Sequence, residues 1–165
     1  RFVAERDAFV VPTLVCYEKT LRDGAKLGLS PYVVEKLAFV TDAGVKMLEH
    51  CERAGVKMGF GTDLMGEMEE AQSHEFVIRA HVQKPIDILR SATSINAEIL
   101  NKTGELGTIA VGAVADLVAV DGNPFNDISL LDGQGERLSM ILQAGRPHVC
   151  RLPMKEASSA RAAAE

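Results

Sequence analysis

Val56-Lys57-Met58-Gly59-Phe60-Gly61-Thr62-Asp63 is the stretch on which the fold turns. It begins as a short apolar strand and delivers an acidic side chain where that strand ends. Upstream, Ala8-Phe9-Val10-Val11-Pro12-Thr13-Leu14-Val15 is a nearly continuous apolar run rich in β-branched residues, as expected of a strand covered on both faces. Pro12 has no amide hydrogen for a central ladder, so the run is expected to bend or end there. Residues 24–28 form a break between the two strands. Ser30-Pro31 then supplies a helix cap with proline in the first turn, and Val34, Leu37, Thr41, Val45 and Leu48 keep helical spacing up to a terminal glycine, Gly55. Two strands joined by a helical crossover of that length run parallel, which predicts an α/β sheet or barrel.

Downstream of Asp63 the reading gives a loop containing Met65, Gly66 and Met68, a helix over residues 70–82, a second from Pro85 through Ala92, and a third capped by Ser94 and ending at Gly104. The character then changes. Gly107, Gly112, Gly122, Asn123-Pro124, Gly133, Gly135 and Gly145 punctuate short apolar runs, and residues 115–120 and 138–142 are the clearest strands. An all-β segment therefore follows an α/β one. The expected organisation is residues 1–104, then 105–152, then a tail from 153 to 165 whose alanine-rich end carries no apolar stripe.

The chain has 165 residues, is 47% hydrophobic and carries a net charge of -5. With no basic run or stripe to offset phosphate, nucleic acid and anionic membrane are excluded as main partners, leaving a small-molecule substrate or another protein surface. The longest apolar stretches fall far short of the ~20 residues that a membrane span requires. Cys16, Cys51 and Cys150 are odd in number and far apart, which reads as free thiols in a reducing, cytoplasmic compartment. The opening Arg1-Phe2-Val3-Ala4-Glu5-Arg6-Asp7 is not a secretory signal, and an initial Arg leads to the expectation that sequence once preceded it.

Two stretches, in order, resemble the amidohydrolase superfamily. The first is Gly59-Phe60-Gly61-Thr62-Asp63. The second runs Gly104-Glu105-Leu106-Gly107-Thr108-Ile109-Ala110-Val111-Gly112-Ala113-Val114-Ala115-Asp116-Leu117-Val118-Ala119-Val120-Asp121-Gly122-Asn123-Pro124, and between them Ala92-Thr93-Ser94-Ile95-Asn96-Ala97-Glu98-Ile99-Leu100 is similar to the family's last barrel helix. Val11-Pro12-Thr13-Leu14, Asp63-Leu64-Met65-Gly66 and Gln72-Ser73-His74-Glu75-Phe76 look most like the branch of Xaa-Pro dipeptidases, N-acyl amino acid carboxypeptidases and imidazolonepropionase-like proteins. The resemblance implies the C-terminal portion of a (β/α)8 barrel, strands seven and eight, followed by part of a small β-sandwich. Barrel enzymes place catalytic groups at the C-terminal strand ends, where Asp63 falls. In the family this aspartate ligates a divalent metal, zinc foremost, and takes the proton from the water that the metal activates. The family also draws on a His-x-His pair, a carboxylated lysine or glutamate, and further histidines. Here the histidines are His50, His74, His81 and His148, no two separated by a single residue, so the other ligands are absent from this chain.

The implied activity is hydrolysis of an amide or peptide bond in a small substrate, a dipeptide or N-acyl amino acid. The alternatives are a cyclic-amide hydrolase and a non-catalytic module that pairs with another chain. Asp63 is the candidate catalytic and metal-binding residue; its competing role is to cap the next helix. Tyr17, Met65 and His74 are the candidate substrate contacts, set against a rim aromatic, a gap-filling methionine and a solvated histidine. His50, His81 and His148 lack partners at ligand spacing and are expected on the surface or in ordinary packing. Cys16 has no base nearby in sequence, which argues against a nucleophile. Two barrel strands alone should expose Val10, Val11, Leu14 and residues 56–60, so the expected partner is the missing N-terminal half of the barrel or a second copy.

Overall fold

The computed structural model describes residues 2–24 and 26–152, so the expected tail lies outside the described residues. The two apolar runs do meet in parallel, at a single bridge between Val10 and Met58. Val10 N–H donates to the Lys57 carbonyl at 3.1 Å, and Gly59 N–H donates to the Val10 carbonyl at 2.9 Å. The ladder goes no further because Pro12 has no hydrogen to give and the chain turns helical at once: α1 spans Leu14–Asp23. The strand expected to reach residue 15 is thus corrected to an extended segment that ends before Leu14.

Helix α2, Pro31–Ala54, is the crossover, and its ends follow the sequence signals. The Ser30 side chain accepts from Val33 N–H, Pro31 opens the first turn, and Gly55 closes the helix with φ 65 while its amide reaches back to the Cys51 and Glu52 carbonyls. Leu14, Val15, Leu48, Met58, Leu64 and Ile78 form one buried cluster where α1, α2 and the strand pair meet. Leu14 and Met58 are only 2% and 4% exposed, which corrects the expectation that the strand pair would present bare apolar edges. Helices cover it; of the apolar residues in that set only Val11 stays exposed.

After Asp63 the expected single helix divides into a 3₁₀ segment, Gly66–Ala71, and α3, His74–Arg79. The next two expected helices are instead one continuous run: α4, Pro85–Arg90, passes through a π-helical turn, Ser91–Ile95, into α5, Asn96–Ile99. The Ser94 hydroxyl caps nothing and donates back to the Arg90 carbonyl at 3.5 Å. The run ends before Gly104, whose φ of 83 turns the chain out of the helical region.

Beyond Gly104 the chain builds an antiparallel sheet of β1, Leu117–Val120, β2, Leu138–Gln143, and β3, Arg146–Cys150, in that order. β2 and β3 are joined by Ala144-Gly145, both at positive φ, the geometry of a tight two-residue hairpin. β3 has no clean alternation and contains Pro147, which is why its sequence did not declare it. The chain is therefore an α/β fold of helices with a three-stranded antiparallel sheet. Among the described residues no helix is long and apolar enough to cross a membrane.

Candidate active site

The segment that leads to Asp63 is fixed from three sides. From one side α5 reaches it through Asn96, whose amide oxygen accepts from Phe60 N–H and whose amide nitrogen donates to the Phe60 carbonyl, both at 2.9 Å. A side chain thus supplies both bonds of a neighbouring strand. The approach is so close that a Cβ on Gly59 would stand 2.5 Å from Ile99 Cδ1 and 2.7 Å from Asn96 Oδ1, and one on Gly61 would stand 2.7 Å from Val11 Cγ1. The glycines of Gly59-Phe60-Gly61 are there because nothing larger fits.

From a second side comes Arg79 of α3, fully buried. One of its terminal nitrogens donates to the Gly59 carbonyl at 2.9 Å and to Ser91 Oγ at 3.1 Å, while Nε donates to Gln83 Oε1 at 2.9 Å. Its guanidinium also lies 5.4 Å from the centre of the Phe60 ring, which in turn packs on Phe76 at 4.3 Å between centroids. The third side is the Val10–Met58 bridge.

One turn before Arg79 on α3, Glu75 is likewise fully buried, and its Oε2 accepts from Val15 N–H at 2.7 Å. Helix α1 has no cap of its own, since Thr13 makes no side-chain capping bond, so a carboxylate from a distant helix serves instead. Burial pushes the Glu75 carboxyl up to about 7 against the lowering pull of the Val15 amide and of Arg79, and the same burial draws Arg79 below the usual guanidinium range. Among the described residues, Glu75 Oε1 and the second terminal nitrogen of Arg79 have no hydrogen-bond partner.

Asp63 emerges from this frame exposed and with φ 52, a left-handed backbone that aspartate tolerates better than most residues. The 3₁₀ segment beyond it starts after Met65 and has no side-chain cap, so capping does not account for the aspartate. Its carboxylate acts on Cys16: burial first and Asp63's charge second raise that thiol above its ordinary value. Cys16 is accordingly held as a thiol, in keeping with the absence of a nucleophile's environment. Among the described residues no three His, Cys, Asp or Glu side chains gather into a group that could hold a metal ion. The donors among the described residues therefore do not by themselves fit the metal that the resemblance implies.

Of the other candidate residues, His74 is held by partners other than Asp63. His74 sits between two carboxylates, Nδ1 2.8 Å from Asp132 and Nε2 3.4 Å from Glu18. Ser73 Oγ donates to the same Asp132 at 3.1 Å. Burial tends to raise the Asp132 carboxyl, but the hydrogen bonds from His74, Gly133 and Ser73 outweigh it and hold the group below its ordinary value. His74 lines an open cavity of about 270 Å³ together with Glu18, Lys19, Arg22, Asp132 and Gln134, and Asp63 is not part of its wall. Tyr17 is half-buried against the core cluster, and Met65 is exposed. His50, His81 and His148 are all on the surface. Sequence reasoning missed Glu75, Arg79 and Asn96, since two charges and an amide on short helices read as solvated. The available signal was the helical spacing of Glu75 and Arg79, which puts both on the face carrying buried Ile78.

A parallel strand contact that ends in an exposed aspartate, locked by a following helix and succeeded by an antiparallel sheet, defines an α/β chain of the amidohydrolase type. The amidohydrolase family model matches residues 3–147, and the chain belongs to that family. Among solved structures it is similar to an amidohydrolase with 47% identity and a TM-score of 0.87, covering 92% of this chain and 37% of that one. It is also similar to a prolidase complexed with N-methylphosphonate-L-proline, at 51% identity and a TM-score of 0.84, covering 88% and 36%. A curated relative, hydroxydechloroatrazine ethylaminohydrolase of Pseudomonas sp. (strain ADP), is 34% identical over 98 residues, which is 52% of this chain and 20% of that protein. The chain thus spans little more than a third of the solved relatives' length.

Proposed function

We propose that this chain contributes the last two strands of a (β/α)8 barrel and part of a small β-sandwich to a metal-dependent amidohydrolase that cleaves an amide or peptide bond in a small substrate, a dipeptide or N-acyl amino acid. Residues 1–104 are the barrel portion and 105–152 the sandwich portion. Asp63 is the acid–base group: its carboxylate accepts a proton from the attacking water and returns it to the leaving nitrogen. It is also one oxygen donor to a divalent metal, zinc foremost, whose remaining ligands belong to parts of the protein beyond this chain. The observation that carries the reading is Asp63 itself, an exposed carboxylate with left-handed backbone at the end of a segment clamped by Asn96 and Arg79. Backbone of that kind concentrates at functional sites. The 51% identity to a prolidase favours a dipeptide over the cyclic-amide alternative.

In the complete protein, Asp63→Asn is expected to keep volume and backbone, because asparagine also tolerates left-handed φ, while losing the proton acceptor. We expect kcat to fall by about 10²–10⁴-fold with KM and melting temperature little changed. Steady-state kinetics on a prolyl dipeptide and on an N-acyl amino acid, with metal content measured alongside, test this. Unchanged kcat at full metal content would remove Asp63 from the reaction.

A further inference from the structure

We infer that Glu75 and Arg79 are positioning residues for Asp63, a buried pair on α3 that holds the two chain segments flanking the site in fixed relation. The inference rests on the proposed role of Asp63. Arg79 grips the Gly59 carbonyl, four residues before Asp63, and Glu75 grips the Val15 amide at the start of α1, two residues after Thr13. The segments holding Gly59 and Val15 otherwise share one backbone bridge, Val10 to Met58.

A single bridge leaves the ends on either side of it free to splay. Two polar side chains one helical turn apart, each fully buried and each bonded to a different segment, remove that freedom. A core that needed only volume at these positions would be served by leucine or methionine at lower desolvation cost. Ser91 extends the grip: it accepts from Arg79 and donates to the Ile88 carbonyl at 2.6 Å, so the π-helical turn that interrupts the last helical run is tied to the same guanidinium. Neither Glu75 nor Arg79 touches substrate in this proposal. Both act through backbone.

The test uses the complete protein and compares Glu75→Ala, Glu75→Gln, Arg79→Met and Arg79→Lys with Asp63→Asn. Glutamine retains an acceptor for Val15 N–H, and lysine retains one donor for Gly59. Loss of an orienting partner lowers activity by about 10–100-fold. We expect that loss in kcat for Glu75→Ala and Arg79→Met, with KM within about threefold, recovery of Glu75→Gln to within about threefold of wild type, and an intermediate Arg79→Lys. Hydrogen exchange should show protection lost over residues 56–64 in the two impaired variants and unchanged over 138–150. Wild-type kcat in Arg79→Met and Glu75→Ala, measured below their melting temperatures, overturns the proposal even if stability has fallen, as does loss of protection spread evenly over both segments. If Asp63→Asn is inactive while Arg79→Met is fully active, this proposal alone fails. If Asp63→Asn is fully active, the functional reading fails and takes this one with it.

Discussion

Glu75 shows how a single residue can carry a pH dependence that its sequence neighbourhood hides. Its carboxyl is raised from an ordinary value of 4.5 to about 7, so between those limits the folded chain holds a proton that the unfolded chain has released. The stability this group contributes is fully present below pH 4.5 and lost as pH rises to about 7. At 1.36 kcal/mol per pKa unit the difference is about 3 kcal/mol. Urea midpoints of wild type and Glu75→Gln measured across that range should therefore diverge as pH rises, with the variant flatter; parallel curves would mean that Glu75 ionises as it would in water. The position of Asp63, exposed just past the Val10–Met58 bridge, was legible from sequence because an apolar run followed by an aspartate is a local pattern. Glu75 and Arg79 were not, because charged residues on a helix are surface residues by default, and only the fold reveals that α3 has turned that face inward.

At the scale of elements, the signals that could be read were those with a local mechanism. Ser30-Pro31 and Gly55 fixed both ends of α2 because caps and left-handed termini are properties of a few adjacent residues. The strand pair was overdrawn: an apolar β-branched run reports burial, and the same residues bury as well at a helix start, which is where Leu14 and Val15 lie. Nor was the fusion of α4 with α5 visible, since Ser94 has a capping residue's chemistry while Asn96 and Ser91 are held by long-range bonds that keep the helix going. Those bonds make a quantitative expectation. Asn96→Ala strips the Phe60 amide and carbonyl of their partners, and leaving such groups unsatisfied costs about 1–3 kcal/mol each. Gly59→Ala drives a methyl into Ile99 and Asn96 and should cost about 1–3 kcal/mol by overpacking. Denaturant melts check both, and the double variant should cost less than the sum, because both changes break the same contact with α5. Full additivity would show that Asn96 and Gly59 act independently.

On the scale of the whole molecule, the resemblance to the amidohydrolase family could be read early, yet which surface is left uncovered could not. The expected bare edge of the strand pair is largely buried apart from Val11, and most of the exposed apolar side chains lie elsewhere, among them Tyr32 and Phe39 on α2, and Ile109, Val111, Val114 and Val118 around β1. Ile109 is 90% exposed, in a stretch where isoleucine has no role in water. Among the described residues β1 also pairs on one side only, so its other edge presents free backbone donors and acceptors. The unpaired edge and this apolar cluster lie on the same stretch of a chain that spans about a third of its solved relatives' length. We expect the 165-residue chain expressed alone to associate at micromolar concentration, seen as species larger than a monomer in sedimentation velocity. Val111→Lys with Val118→Lys should shift it toward monomer without loss of helicity, since a charge on an exposed edge disfavours strand addition and both positions already face solvent. The same chain should retain no stoichiometric zinc after dialysis against a mild chelator and should not cleave a prolyl dipeptide, because one carboxylate cannot replace the three or four protein ligands that hold a catalytic metal. A compact monomer that melts cooperatively would show that the face around β1 needs no partner, and a monomer that also held zinc and cleaved the dipeptide would show that the chain builds a complete site from its own residues.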